Sequence, residues 1–153
     1  MEENNLNHYY KNGLLVATVG CDWKCLKEQG LDISICQNSH TSKMQTKFIS
    51  TKELVDKFNE NLLSECIIFA GLEPILQFDE VYGFIKEFRK TNYNDVVIFT
   101  GYYPEEIKEE LEKLKSFENI YIKLGRYIQN SSKIYDPIGK IWLSGSNQYF
   151  IKL

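Results

Sequence analysis

Three cysteines near the start of the chain have the residue type and spacing of metal ligands. Cys21, Cys25 and Cys36 follow the apolar run at residues 14–19, which is typical of a buried strand. Thiolates bind iron and zinc, and a structural metal site normally uses four protein ligands. Three protein sulfurs leave one position of a four-iron cluster open to a ligand that can be chemically transformed. The cysteines therefore indicate a metal centre with an open coordination position.

The same cysteines also fit a zinc site. His40 lies four residues beyond Cys36, and Cys21, Cys25, Cys36 and His40 have a spacing that is plausible for structural zinc. Such a site would make the chain a structural or interaction module without a catalytic role. Cys66 stands apart at the start of a predicted strand, where a cysteine is usually a small buried hydrophobe. The cysteines alone leave iron and zinc both open.

Length and composition restrict the classes of protein that the chain fits. Its 153 residues, 43% of them hydrophobic, predict a single domain, residues 1–153, with a polar N-terminal extension at residues 1–12. A net charge of −3 argues against a nucleic-acid partner, because phosphate binding needs clustered positive charge. We find neither a signal peptide nor a membrane-spanning run, and so predict a cytoplasmic protein without a membrane partner.

Alternating strands and helices must position the cysteines. Helix-spaced apolar residues follow Ser50, which predicts an N-cap and a helix that includes Leu62 and Leu63. The order βαβαβαβ predicts an α/β fold with a mostly parallel sheet. The predicted strands are residues 14–19, 66–70, 96–100 and 119–124, with terminal strands at 140–143 and 148–152.

The carboxyl ends of the predicted strands carry the remaining signals. Cys21, Gly71, Gly101 and Gly125 each follow one of the four strands. Ligands of parallel α/β sheets bind at that edge. These separate features therefore predict one site. Arg126 follows a strand end, where an arginine could meet a carboxylate or a partner protein but is most simply solvent-exposed, and solvent exposure is our expectation.

The order of these motifs resembles a known family. Cys-x-x-x-Cys after the first strand, Cys36 followed by x-Asn, and the Gly-Leu-Glu-Pro sequence at residues 71–74 resemble the radical S-adenosylmethionine enzymes. The similarity is closest to the activating proteins of anaerobic ribonucleotide reductase. It continues through residues 100–102, 125–127 and 145–148 and so covers most of the chain.

The resemblance implies a fold, two cofactors and a set of site residues. The fold would be a partial, open TIM-like barrel. Cys21, Cys25 and Cys36 would hold a [4Fe-4S] cluster, and S-adenosylmethionine would occupy its open position. No catalytic residue is implied beyond the cluster and S-adenosylmethionine. The implied cofactor-binding residues are Gly71, Leu72, Glu73, Pro74, Asn38, Thr100, Gly101 and Tyr102.

The resemblance also implies a reaction and its partners. Family members cleave S-adenosylmethionine reductively and place a radical on a glycine of a large glycyl radical enzyme. The partner would be anaerobic ribonucleoside-triphosphate reductase, and the electron donor a reduced flavodoxin or ferredoxin-type protein. A radical enzyme that acts on a small molecule or a peptide is the alternative within the same superfamily.

Two positions depart from the family pattern. Ten residues, 26–35, separate Cys25 from Cys36, where the family has two. We predict that this insertion bulges outward, because the free energy of loop closure grows only logarithmically with length. Leu72 replaces a family glycine, which affects how closely a cofactor can approach the backbone.

Overall fold

The computed structural model describes residues 9–153, so most of the predicted N-terminal extension lies outside the described residues. Among the described residues, five strands form one sheet in the order β1-β2-β3-β4-β7. The four predicted strands are confirmed within one residue or two at each end. The strands of this sheet are β1 Gly13–Thr18, β2 Cys66–Gly71, β3 Asp95–Phe99, β4 Ile120–Leu124 and β7 Tyr149–Lys152.

The first four strands run parallel and the fifth runs antiparallel. β1 pairs with β2, β2 with β3 and β3 with β4 in parallel, whereas β7 pairs antiparallel with β4. A parallel pair of strands needs a crossover connection, which is usually a helix. Residues 125–148, which connect β4 to β7, contain no α-helix, and this connection joins two antiparallel strands. The mostly parallel α/β sheet is thus confirmed. Within the described residues the sheet is open, and its edge strands are β1 and β7.

Within residues 9–153, four α-helices accompany the sheet, and a predicted cap begins the second. The Ser50 hydroxyl accepts a hydrogen bond from the Glu53 amide at 3.1 Å. This helix ends at Glu60, so the prediction that it includes Leu62 and Leu63 is wrong. The Asn61 side chain accepts the Leu63 amide and turns the chain, which leaves both leucines exposed. The helices are α1 Lys24–Lys27, α2 Thr51–Glu60, α3 Phe78–Phe88 and α4 Lys108–Leu114.

Helices α2, α3 and α4 cover one face of the sheet. Side chains of β2 and β3 such as Ile67, Phe69 and Ile98 point into this layer, where they are at most 3% exposed. The layer also contains an edge-to-face pair of Phe58 and Phe88. Burial of this apolar surface holds the parallel strands in register. In the described part of the chain, no helix has the length and apolar character needed to cross a membrane.

A β-hairpin and Tyr9 cover part of the opposite face. Strands β5, Ile134–Asp136, and β6, Ile141–Leu143, form this hairpin. The strand at 134–136 was not predicted, and the predicted strand at 140–143 pairs with it rather than with the main sheet. Cys66 is fully buried in this second layer, beside Tyr9 and Phe150, which confirms its prediction as a core residue.

Candidate metal centre

The ends of four parallel strands meet at one cleft. Residues from the segments that follow β1, β2, β3 and β4 line it, which supports the predicted convergence at the carboxyl edge. Two of the three predicted metal ligands are among them. The lining residues are Cys21, Asp22, Lys24, Cys25, Glu73, Gly101, Tyr102 and Arg126.

Glu73 joins three of these strand ends. Its amide donates to the carbonyl of Gly20 at 2.7 Å, and its carboxylate accepts the amides of Gly101 at 2.9 Å and Ile75 at 3.1 Å. The side chain is buried, and burial raises the pKa of its carboxyl while the Gly101 amide opposes the rise. Because backbone donors already engage its carboxylate, Glu73 positions the cleft wall.

Gly71 and Leu72 show how the altered motif is accommodated. Gly71 has φ 89°, and a Cβ there would lie 3.1 Å from the Cβ of Ala17. This close approach of β2 to β1 requires glycine. Leu72 is only 8% exposed and therefore points into the protein interior rather than across the cleft. The substituted motif thus keeps its close strand contact.

Tyr102 forms a wall of the cleft. Its hydroxyl donates to the Asp22 carboxylate at 2.6 Å, and its amide donates to the buried Thr100 hydroxyl at 3.0 Å. Burial, followed by the hydrogen bond to Asp22, raises the pKa of the Tyr102 hydroxyl. These contacts join the segment after β3 to the residue that follows Cys21.

Arg126 is buried at the cleft, where it meets two carboxylates, the alternative that sequence reasoning did not favour. Its side chain is 6% exposed, so the expectation of a solvent-exposed arginine is wrong. The guanidinium donates to Glu28 at 3.0 Å, to Glu106 at 2.7 Å and to the Gly101 carbonyl at 2.5 Å. It therefore ties the helix of the cysteine loop to the ends of β3 and β4. Because Glu28 and Glu106 are distant in sequence, no local pattern reveals these pairs.

The end of the chain fixes the turn that carries Arg126. The side-chain amides of Asn147 and Gln148 donate to the Arg126 carbonyl at 2.9 and 3.2 Å. Gly125 has φ 103°, and a Cβ there would lie 2.6 Å from the Asn147 carbonyl oxygen. Residues 145–148 therefore hold this turn in place.

The ion pair of Glu106 should make the free energy of unfolding depend on pH. Its hydrogen bond with Arg126, aided by Lys24, lowers the pKa of the Glu106 carboxyl to about 2. A lowered pKa means that the ion pair contributes fully above about pH 4.5 and is lost as the pH falls toward 2. Between pH 7 and pH 3, the free energy of unfolding of the wild type should fall by about 1–2 kcal/mol more than that of Glu106→Gln. Urea unfolding at pH 7 and pH 3 measures it. Equal pH dependence in variant and wild type would contradict the assignment.

The insertion between Cys25 and Cys36 is anchored at its first half. Leu26 is fully buried, and the Gln29 side-chain amide donates to the Cys25 carbonyl and to the Tyr127 carbonyl, the latter at 2.8 Å. The remaining residues, 30–35, are mostly exposed. The predicted outward bulge therefore applies only to the second half. The first half packs against the segment after β4.

The three candidate cysteines lie on one loop, but their thiols do not converge. Cys21, Cys25 and Cys36 are free and partly exposed. Burial raises the pKa of the Cys21 thiol to about 11, and burial, with a contribution from Cys36, raises that of Cys25. Across residues 9–153, no group of three or more histidine, cysteine or carboxylate side chains is placed to hold a metal ion. His40 is exposed and contacts the Gln37 carbonyl instead.

The donor set nevertheless suits an iron–sulfur cluster. Three free thiols share one loop, two of them line a cleft, and Cys66 is buried on the other side of the fold. Ligands of metal-binding loops reach their final geometry on binding, because metal binding is coupled to folding and to loss of the thiol protons. The donor chemistry of the cysteines thus fits an iron–sulfur cluster, and binding of the metal would bring the three thiols of the loop together.

Of the other residues predicted to bind a cofactor, some line the cleft and others do not. Gly101 and Tyr102 line the cleft together with Glu73. Asn38 only precedes a short helical turn, and its side chain makes no capping hydrogen bond. Three further candidates lie at strand ends without lining the cleft, namely Gly71, Pro74 and Thr100.

Lys123 adds a positive charge that sequence reasoning missed. It lies on β4, on the face opposite the helices, and its ammonium group donates to the Gly125 carbonyl at 3.3 Å. Burial lowers the pKa of this ammonium group to about 8, against the opposing charges of Glu73 and Cys25. Among the described residues no carboxylate forms an ion pair with Lys123. Lys123 is not among the residues that line the cleft, and its charge interacts with those of Glu73 and Cys25.

Comparison with known proteins gives one match. A family model described as a 4Fe-4S single cluster domain matches residues 13–151. No curated protein and no solved structure matches the chain. The matched residues include all three cysteines of the loop and every strand end at the cleft.

Proposed function

Because the chain belongs to the family of 4Fe-4S single cluster domains, we propose that it is a radical S-adenosylmethionine enzyme that activates a glycyl radical enzyme. Cys21, Cys25 and Cys36 would hold the cluster. Reductive cleavage of S-adenosylmethionine at such a cluster gives methionine and a 5′-deoxyadenosyl radical, which takes a hydrogen atom from a glycine α-carbon. The products are 5′-deoxyadenosine and a glycyl radical on the partner.

One observation gives the proposal its main support. The cysteine loop after β1 and the Gly-Leu-Glu-Pro segment after β2 share one cleft and are joined by the hydrogen bond from the Glu73 amide to the Gly20 carbonyl. A closed structural metal site has no need of a second loop beside its ligands. A cluster with an open position needs one, to hold the ligand at that position. The paired loops therefore favour a catalytic centre.

Charges around the cleft suit the methionyl end of S-adenosylmethionine. Asp22 and Glu73 in the cleft lining supply negative potential for an amine or a sulfonium group, and the buried ammonium group of Lys123 interacts with Glu73 and Cys25 although it does not itself line the cleft. The cleft holds only about 20 Å³ of free space, which is far below the size typical of small-molecule pockets. The adenosine part would thus extend over the neighbouring open surface.

The open surface beside β1 suits a protein substrate. Leu15 and Val19 are about half exposed, and β1 is an edge strand. A protein partner that covers this edge would exclude water from a radical intermediate, whereas a small molecule would leave it exposed. We therefore propose anaerobic ribonucleoside-triphosphate reductase as partner and a reduced flavodoxin or ferredoxin-type protein as electron donor, in the cytoplasm. The open sheet would correspond to a partial TIM-like barrel.

Metal analysis and product analysis test the proposal together. After anaerobic purification, iron and sulfide should be present in near-equal amounts and zinc should be minor. With a chemical reductant, S-adenosylmethionine should yield 5′-deoxyadenosine, and the reductase should gain a glycyl radical signal in electron paramagnetic resonance. One tightly bound zinc without sulfide would contradict the proposal. 5′-Deoxyadenosine formed only with a peptide or small molecule would point to the alternative substrate class.

A further inference from the structure

The β5–β6 hairpin presents two large aromatic side chains to solvent. Tyr135 and Trp142 are cross-strand partners, with ring centroids 5.7 Å apart in an edge-to-face arrangement. Their side chains are 48% and 68% exposed. The neighbouring positions Asp136 and Leu143 face the opposite way and are buried. The hairpin thus has one face packed on the sheet and one aromatic face that packs on nothing else described.

The exposed charges of this hairpin are all positive. Lys133 and Lys140 are exposed, and the ammonium of Lys140 lies 4.3 Å from the ring centroid of the neighbouring Tyr10. The hairpin's one carboxylate, Asp136, is buried, and its oxygens accept the backbone amides of Ile138, Gly139 and Phe150. The hairpin therefore carries a basic aromatic surface on a chain of net charge −3.

We propose that this surface, the hairpin patch of Tyr10, Lys133, Tyr135, Lys140 and Trp142, docks the protein substrate through an acidic region of that partner. Tryptophan and tyrosine dominate the binding energy of protein interfaces, and oppositely charged rims steer the partner. A second copy of the chain fits poorly because its own patch would bring lysine against lysine. Two lysines are also too few for nucleic acid, whose binding rests on many phosphate contacts.

This inference rests on the proposed function and deepens it. Hydrogen transfer to the adenosyl radical requires the partner's glycine to enter the cleft region, but none of the patch residues lines the cleft. A second attachment point would fix the orientation of a large partner without obstructing the reacting atoms. The segment from Tyr127 to Gln129, which Gln29 binds, leads along the chain into β5. The patch is therefore connected to the scaffold that supports the cysteine loop.

Binding of the candidate reductase, measured anaerobically by calorimetry, tests the patch. We expect Trp142→Ala to weaken binding by about tenfold or more, because central aromatic anchors carry most interface energy. The double substitution Lys133→Glu with Lys140→Glu should weaken it further at low salt and less at high salt. Tyr93→Ala is the matched control, since Tyr93 is 65% exposed and lies outside the patch. It should bind like wild type.

Further measurements separate the docking inference from the proposed function. Release of 5′-deoxyadenosine without the reductase should be unchanged in all these variants, because none alters the cleft. The docking inference is wrong if Trp142→Ala binds the reductase as tightly as the wild type does. It is also wrong if the wild type itself does not bind the reductase, even if S-adenosylmethionine is still cleaved. Loss of cleavage in the wild type would instead reject the radical chemistry. Self-association or oligonucleotide binding that Trp142→Ala abolishes would assign the patch to that other partner.

Discussion

Replacement of any one of Cys21, Cys25 and Cys36 by alanine should abolish the iron–sulfur cluster and, with it, all release of 5′-deoxyadenosine. Each substitution leaves two thiolates on the loop, and two ligands do not retain a four-iron cluster against loss to solvent. The Cys36 variant is the most informative. This residue does not line the cleft with Cys21 and Cys25, so its role depends on closure of the loop. Iron and sulfide content and the visible absorption of the cluster provide the measurement.

Cys66→Ala is the matched control for these substitutions. Its thiol is buried against the opposite face of the sheet, near the carbonyls of Lys11 and Asn12, so its loss should leave the cluster intact. We expect a small decrease in the free energy of unfolding, of about 1 kcal/mol, from lost packing. A full cluster in Cys36→Ala would show that this residue is not a ligand. Loss of the cluster in Cys66→Ala would show that the loop alone does not form the site.

Arg126→Ala should have a large effect both on stability and on the cysteine loop. The guanidinium joins Glu28, Glu106 and the Gly101 carbonyl, and so holds together three segments of the cleft. Removing one partner of a mostly buried ion pair leaves charge uncompensated, although both glutamates retain some contact with water. We expect a loss of about 2–4 kcal/mol in the free energy of unfolding. Urea unfolding measures this loss, and cluster content after reconstitution reports on the loop.

Two further variants distinguish a role at the cleft from general destabilisation. Arg126→Lys keeps the charge but not the planar fork, so we expect partial recovery of stability and of cluster content. Arg89 donates to the carbonyls of Asn94 and Glu118 at the other end of the strands. Arg89→Ala should therefore lower stability without lowering cluster content. If both arginine variants lose clusters in proportion to their stability, Arg126 has no specific effect on the cysteine loop.

The strand and cap predictions succeeded because they rest on local chemistry. Residues 66–70 and 96–99 are continuous apolar runs, which suits strands that are covered on both faces. Ser50 lies three residues before Glu53, the spacing of an N-cap, and the hydrogen bond forms as expected. Leu62 and Leu63 show the limit of this reasoning, because a local turn at Asn61 overrides helical periodicity.

By itself, the sequence determined the mostly parallel α/β sheet, the cysteine loop after its first strand and the convergence of glycine-rich segments at one edge. These features depend on residue type and on short spacings, and the alternation of strands with helices sets the parallel direction of the first four strands. The tertiary structure decided the contacts between distant segments. Arg126 pairs with Glu28 across 98 positions, Glu73 joins three strand ends, and the hairpin leaves Trp142 in solvent. Such contacts depend on where packed elements bring side chains together, and that position is set by the whole fold.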